Sequence, residues 1–221
     1  MNCRKSIFKF LGIAAVCAAS AACSVDDADD LALVVEADAN TFDIDIYANS
    51  AFHIERINQA DWISLTCGET EDGKGAITAE CEFNEGFKRK AGFVLCSDVD
   101  ARRDTVYVKQ KALVDAKIEF ANSSVIVAGA GGENISPIET NIPFSEITVD
   151  IEYAKADNAD WIESLEIVDS ESENRSLAIT TEANAADEIP RSAAVSLSFT
   201  DGWDETVSVE FNLLQRTAKE T

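Results

Sequence analysis

Apolar and polar side chains alternate with a period of two through much of this chain. Four segments show the alternation most clearly, and their apolar positions are Phe42, Ile44 and Ile46; Ile147, Val149 and Ile151; Val195, Leu197 and Phe199; and Val207, Val209 and Phe211. A period of two places successive side chains on opposite faces of a strand, so each segment predicts a half-buried β-strand. The one short helix candidate, 182–188, is better interpreted as a loop.

The predicted strands belong to two copies of one sequence pattern. The landmarks shared by the first and second copies are Ala60–Ile63 and Ala159–Ile162, Asn84 and Asn184, Arg89 and Arg191, and Gln110 and Gln215. Their order is the same in both copies and their spacing drifts slowly, which indicates two copies of one domain with loops of different length.

Each copy places several short strands between Gly-, Asn- and Asp-rich breaks such as 72–75, 129–132 and 201–202. Short antiparallel strands spaced in this way are typical of an immunoglobulin-like β-sandwich. We therefore predict an all-β chain with two tandem immunoglobulin-like β-sandwich domains, 31–111 and 117–217, joined by a short linker.

The first 23 residues predict an export signal. A basic start is followed by the apolar run Phe10–Ala18 and by small residues that lead directly to Cys23. The run is too short to span a bilayer as a helix. Small residues before a cysteine resemble the lipobox of bacterial lipoproteins, with Ser20 where that family usually has Leu. The resemblance implies a signal peptide over 1–22 and lipidation of Cys23; ordinary secretory cleavage is the alternative.

Acidic residues dominate both the segment after Cys23 and the chain as a whole. The tether 23–30 resembles the acidic export signal of Bacteroidetes surface lipoproteins, which implies an outer-membrane lipoprotein at the cell surface; a periplasm-facing position is the alternative. With 18 Lys+Arg against 41 Asp+Glu, the net charge is −23. Such a charge excludes nucleic acid as a partner and predicts that the lipid is the chain's only contact with the membrane.

The ordered landmarks also resemble the BACON domain (Bacteroidetes-associated carbohydrate-binding, often N-terminal). The series is Asn-x-x-aromatic at Phe52 and Phe144, then Asp-Trp-Ile, then Asn with a following Arg, and a last strand ending in Gln. The resemblance covers nearly all of the chain after the tether. It implies an immunoglobulin-like sandwich and binding of a polysaccharide or mucin glycan. The alternative is a structural spacer or a protein-interaction subunit of a surface assembly that binds no sugar.

Four aromatic residues are candidates for distinct roles. Trp62 and Trp161 occupy the same place in both copies and are predicted core anchors, because a large aromatic side chain commonly fills the gap between two sheets. Trp203 lies in Asp201-Gly202-Trp203-Asp204-Glu205, a predicted hairpin tip, where a flat ring beside carboxylates suits a sugar. Phe87, in another loop, is the second ligand-binding candidate.

No catalytic residue, cofactor or metal site is predicted. His53 is the one histidine, and the acidic segments 69–73 and 98–100 lack the spacing of a calcium loop. Three cysteines follow the tether: Cys67, Cys81 and Cys96. A disulfide between Cys67 and Cys81 is the preferred pairing, because their strands are expected neighbours; three free thiols are the alternative.

Overall fold

The computed structural model of this chain describes residues 13–17, 24–26, 31–48, 51–69, 75–99, 101–154, 160–169, 175–185 and 189–219. The chain divides into two compact units, Met1–Asp115 and Ala116–Thr221. This division lies within the predicted linker. The described residues are mostly strand, with one 3-10 turn at Phe144–Glu146. No helix among them has the length and apolar character needed to cross a membrane.

The described residues of the first unit form two sheets. Their strands are β1 (Ile13–Cys17), β2 (Ser24–Asp26), β3 (Leu31–Val35), β4 (Asn40–Ala48), β5 (Phe52–Arg56), β6 (Ile63–Cys67), β7 (Gly75–Cys81), β8 (Arg89–Ser97) and β9 (Arg103–Gln110). One sheet has the order β1-β4-β7-β6 and the other β2-β3-β9-β8-β5. Strand β3 runs parallel to β9, and the other neighbours are antiparallel.

The second unit repeats this plan. Its described strands are β10 (Ile118–Glu119), β11 (Ser124–Val127), β12 (Gly132–Thr140), β13 (Thr148–Tyr153), β14 (Ile162–Asp169), β15 (Arg175–Thr181), β16 (Arg191–Thr200) and β17 (Thr206–Gln215). The sheet orders are β10-β12-β15-β14 and β11-β17-β16-β13, and β11 runs parallel to β17 as β3 does to β9. Each unit is thus an immunoglobulin-like β-sandwich, which confirms the predicted fold class.

The alternating pattern predicted the buried face of the strands correctly. Phe42, Ile44 and Ile46 of β4 are buried, whereas Asp43 between them is exposed and Asp45 is half-buried. In the second unit, the buried positions of β16 and the end of β17 include Val195, Leu197, Phe199, Phe211 and Leu213. Burying each large apolar side chain stabilises the fold by about 1.5–3 kcal/mol, so these faces hold the two sheets of each sandwich together.

Several predictions concern residues outside the described part of the chain. At the amino terminus these are Cys23 and most of the tether. Residues 70–73 of one acidic segment and residue 100 of the other also lie outside it. Strand β1 is described, and it pairs with Ile44–Ala48 of β4. It lies inside the segment 1–22 that the sequence predicts to be cleaved, and that assignment stays a prediction.

The preferred disulfide is wrong for this structure. Strands β6 and β7 are neighbours as expected, but their register places Cys67 opposite Ile77 and Cys81 opposite Ile63. The two cysteines therefore lie at opposite ends of the strand pair, about 13 Å apart at 3.3 Å per residue. A disulfide needs Cα atoms within about 7 Å, and Cys67, Cys81 and Cys96 are all free thiols.

Candidate functional site

A buried glutamine closes one end of the first sandwich. Gln110, the last residue of β9, is 0% exposed. Its Nε2 donates to the carbonyl oxygens of Glu82 at 2.9 Å and of Ala37 at 3.2 Å. Its Oε1 accepts a hydrogen bond of 2.8 Å from Nε of Arg89, whose guanidinium carbon lies 4.5 Å from the ring centroid of Trp62. One side chain thereby joins the ends of three chain segments.

The second sandwich repeats these contacts. Gln215, also 0% exposed, donates from Nε2 to the carbonyl oxygens of Glu182 at 2.7 Å and Ala128 at 3.1 Å. Arg191 donates from Nε to Oε1 of Gln215 at 2.6 Å, and its guanidinium carbon lies 4.9 Å from the ring centroid of Trp161. The two networks share the Gln–Arg hydrogen bond, the bond to a Glu carbonyl oxygen and the Arg–Trp contact. They differ in a further acceptor at 3.4 Å, which is the carbonyl oxygen of Asp38 for Gln110 and Oγ1 of Thr181 for Gln215.

A repeated asparagine completes each network. The Nδ2 of Asn84 donates to the carbonyl oxygens of Phe87 and Lys111, both at 2.8 Å. Asn184 does the same to Ile189 at 2.9 Å and Arg216 at 3.1 Å. We call each set of Trp, Asn, Arg and Gln a polar lock: Trp62, Asn84, Arg89 and Gln110 in the first unit, and Trp161, Asn184, Arg191 and Gln215 in the second.

Each polar lock has a structural role at the end of its sandwich. Burial lowers the pKa of Arg89 and of Arg191, yet a guanidinium stays charged in a protein, so each needs its carbonyl and Gln partners. Trp161 is 1% exposed, in agreement with its predicted core position, and Tyr153 packs edge-on against it at 6.0 Å. Trp62 packs against the core but is only half-buried. The shared landmarks of the sequence therefore identify what closes each sandwich.

Trp203 lies at the tip of the β16–β17 hairpin, as predicted, and its ring is half-buried. Asp201 Oδ1 accepts hydrogen bonds from the backbone N–H of Trp203 at 2.8 Å and of Glu205 at 3.1 Å. Asp204 has a left-handed φ of 65°, which closes the turn. The backbone beneath the ring is thus fixed before any ligand arrives. The matching β8–β9 tip of the first unit has Val99, 77% exposed, and no aromatic residue in its described part.

Phe87 is also half-buried, in the loop between β7 and β8. Its carbonyl oxygen accepts the Asn84 hydrogen bond, so the position of this loop is set by the polar lock. Phe83, four residues earlier, is 41% exposed. Phe87 and Trp203 belong to different units and do not form one site within either sandwich.

A groove of about 900 Å³ lies in the second unit along β10 and β12, with Phe120 and Arg175 in its wall. The carboxylates of Glu119 and Glu139 also line it, and Lys117 Nζ pairs with both, at 3.4 Å and 2.6 Å. Hydrogen bonding to Glu139 raises the pKa of Lys117, so the ammonium stays charged between them.

Sequence reasoning missed one group of chemically active side chains. His53, Glu55 and Cys96 lie together on the outer face of β5 and β8, although 43 residues separate His53 from Cys96. The available signal was the short pattern His-x-Glu in a strand, which places both side chains on one face. The register that adds Cys96 cannot be obtained from that pattern.

No protein-family model and no curated protein matches the chain. It is similar in structure to a chimeric tandem of titin Z1 and Z2 domains, at 14% identity over 88% of this chain and 100% of that chain, TM-score 0.34. It is also similar to the extracellular cadherin domains 1–4 of protocadherin gamma B7, at 10% identity over 75% of this chain and 41% of that chain, with a TM-score of 0.33. An endo-fucoidan hydrolase of glycoside hydrolase family 107 is similar at 11% identity over 86% of this chain and 28% of that chain, with a TM-score of 0.29. The chain thus spans less than half the length of the last two proteins. These similarities carry no argument about function.

Proposed function

We propose that this chain is a non-catalytic cell-envelope lipoprotein whose BACON-like domains bind a polysaccharide or mucin glycan. Lipid on Cys23 anchors it to the outer membrane, with the tether leading to the cell surface. The observation that supports glycan binding is the fixed hairpin tip of the second unit, where Trp203 stands among three carboxylates.

The chemistry of the tip suits a sugar. One face of a pyranose ring carries C–H groups that pack on an aromatic surface, while its hydroxyl groups donate to carboxylate oxygens. Asp204 and Glu205 follow Trp203 in the turn, are exposed, and have the acceptors for such bonds. Because Asp201 already holds the turn, a ligand loses little free energy in ordering it.

Phe87 is the proposed contact in the first unit. Phe87 is half-buried, the exposed Phe83 lies four residues earlier in the same loop, and the hydrogen bond from Asn84 to the carbonyl oxygen of Phe87 fixes the backbone at this position. One weak site in each of two linked domains gains apparent affinity for a long polymer, because the second contact forms at high effective concentration.

The test is a titration of the whole chain, in mild detergent, with mucin and plant polysaccharides, followed by tryptophan fluorescence. Trp203→Ala is compared with wild type, and Val99→Ala at the matching tip of the first unit serves as the control. A saturable change that Trp203→Ala abolishes and Val99→Ala retains supports the tip as the site. A change that survives Trp203→Ala moves the site, with Phe87→Ala as the next variant.

A second candidate function is a spacer or protein-interaction subunit without sugar binding. It is favoured by an apolar pair on the outer face of the second unit, where Ile126 and Leu214 are cross-strand partners and are 53% and 36% exposed. If no polymer changes the fluorescence of the folded chain, this candidate replaces glycan binding. It then predicts that Ile126→Lys abolishes co-purification of the chain's protein partner from solubilised envelopes, whereas Ile135→Lys, at another exposed position, does not.

A further inference from the structure

The strand pair β5–β8 brings the one histidine of the chain beside a cysteine. His53 and Cys96 are direct cross-strand partners, and Glu55 follows His53 by two residues, so all three side chains share one face of the sheet. The nearest donor atoms of the three side chains all lie within 4.8 Å of one another. Imidazole, carboxylate and thiolate are the three ligand types that zinc takes from proteins.

The histidine ring is already oriented. Its Nδ1 lies 2.5 Å from Oδ1 of Asp98, and its Nε2 faces Oε1 of Glu55 at 3.6 Å. Metal-bound histidines commonly donate their second ring N–H to a carboxylate, which fixes the tautomer and directs the other nitrogen to the metal. Asp98 therefore stands where such an orienting carboxylate belongs, and Nε2 is the atom directed towards Glu55.

The spacing of the donors suits tetrahedral zinc. With N and O ligands at about 2.0–2.1 Å and S at about 2.3 Å, adjacent ligand atoms are roughly 3.3–3.6 Å apart. The Nε2–Oε1 distance of 3.6 Å already meets this. The longest separation, up to 4.8 Å, closes by about 1 Å of side-chain rotation, for which His53 and Glu55 are exposed, whereas Cys96 is buried beneath them on the same face.

We propose that His53 Nε2, Glu55 Oε1 and Cys96 Sγ bind a zinc ion, with Asp98 as the orienting carboxylate and water as the fourth ligand. On binding, the Cys96 thiol loses its proton to solvent and its sulfur forms the bond to the metal. Sulfur and imidazole ligands select zinc over calcium and magnesium, which prefer oxygen.

Arg103 is compatible with this arrangement. Its Nη2 lies 3.3 Å from Oε2 of Glu55 and donates a hydrogen bond of 3.4 Å to Oε1. A zinc ion on Oε1 would replace the longer of these two contacts, and the arginine would keep its contact with Oε2.

The second sandwich shows that the fold itself does not need these side chains. At the equivalent register positions of β13 and β16 it has Thr148, Asp150 and Ser198, with Thr148 opposite Ser198 as His53 is opposite Cys96. The donor set is thus a property of the first unit alone. Strand β5 is also the end strand of its sheet order, so a bound ion would tie an edge strand to its one described neighbour.

The experiment uses the whole, reduced chain in mild detergent. Zinc affinity and stoichiometry are measured by calorimetry, and cobalt(II) serves as the spectroscopic probe because thiolate coordination gives a near-ultraviolet charge-transfer band. Cys96→Ser and His53→Thr introduce the residues of the second unit, so the fold should tolerate both; circular dichroism checks this. Cys67→Ser, an exposed thiol elsewhere in the unit, is the matched control.

We expect one zinc ion per chain at this site. Cys96→Ser should remove the charge-transfer band, Cys96→Ser and His53→Thr should each weaken zinc binding by more than about tenfold, and Asp98→Asn should weaken it by about 10–100-fold. Cys67→Ser should leave band and affinity unchanged. The proposal is overturned if wild type takes up no stoichiometric zinc, if Cys96→Ser keeps the band, or if His53→Thr binds zinc as tightly as wild type.

Discussion

Arg191 donates a hydrogen bond from Nε to Oε1 of Gln215 over 2.6 Å, at the end of the last strand of the second sandwich. The pair joins residues 24 positions apart. The glutamine accepts this bond through Oε1, and its Nε2 donates to the carbonyl oxygens of Ala128 and Glu182 at the ends of two other segments. The Gln–Arg part of this network stabilises the fold only while its donors and acceptors are paired, because an unpaired buried group carries its full desolvation cost.

Gln215→Leu should destabilise the second unit by about 3 kcal/mol. The substitution removes three hydrogen bonds, each with a net contribution of about 1 kcal/mol, and leaves Nε of Arg191 without its acceptor. The carbonyl oxygens of Glu182 and Ala128 keep Nη2 of Arg191 and the backbone N–H of Gly131 as donors. Urea unfolding measures the change. Asn212→Leu, at an exposed position of the same strand, is the control and should change stability by less than about 0.5 kcal/mol.

Arg89→Lys should cost the first unit about 1–3 kcal/mol despite keeping the charge. Lysine cannot reproduce the fork that reaches Oε1 of Gln110 and the carbonyl oxygen of Glu82 together, and it loses the planar contact over Trp62. Thermal unfolding compares it with Lys90→Arg on the next residue. Equal melting temperatures for Arg89→Lys and wild type would mean that the polar lock contributes little.

Gly129→Ala should be more damaging than Gly132→Ala. A Cβ at residue 129 would lie 1.9 Å from the carbonyl oxygen of Thr217, so backbone must move. Gly132 has φ of 101° but nothing within 4 Å of its Cβ position, so there only dihedral strain of about 1–3 kcal/mol applies. Denaturant unfolding of the two variants should rank them in this order; the reverse ranking would contradict the contact.

The free thiols should differ in reactivity. Cys67 is exposed, whereas Cys81 and Cys96 are 5% and 3% exposed. Iodoacetamide on the native, metal-free chain, followed by peptide mass spectrometry, should therefore modify Cys67 first and the other two only in denaturant. A native peptide linking Cys67 to Cys81 through a disulfide would show that the register of β6 and β7 is different from the one described.

Alkaline pH should weaken the first unit through Cys81. Burial raises the pKa of its thiol from 9.0 to about 11, so the unfolded chain loses this proton more readily than the folded one. The contribution is complete below pH 9 and is lost as pH rises through 11. The full shift corresponds to about 2.7 kcal/mol at 1.36 kcal/mol per pKa unit, of which about 2 kcal/mol is lost by pH 11.

The measurement for Cys81 is the free energy of unfolding in urea at pH 8 and pH 11. Wild type should lose about 2 kcal/mol more than Cys81→Ala over this interval, because the variant lacks the titrating thiol while other alkaline groups are common to both. An identical loss in the two proteins would place the Cys81 thiol in contact with water.

The candidate site residues were predictable to different degrees. Trp203 was located correctly at a hairpin tip, because Asp-Gly between two alternating segments is a local signal. The half-buried state of Trp62 against the full burial of Trp161 was not predictable, since identical local sequence surrounds both and the difference arises from what packs on each ring. The hydrogen bonds of Asn84 and Gln110 were likewise not predictable, because their partners Lys111 and Glu82 lie at the ends of strands that are distant in sequence.

The sequence by itself determined which residues face the core and which positions of the two halves correspond, because strand alternation and repeated landmarks are carried by neighbouring residues. Only the tertiary structure decided register. It separated Cys67 from Cys81 and placed His53 against Cys96, since a shift of one strand against its neighbour preserves a strand's own sequence pattern while changing every partner across it.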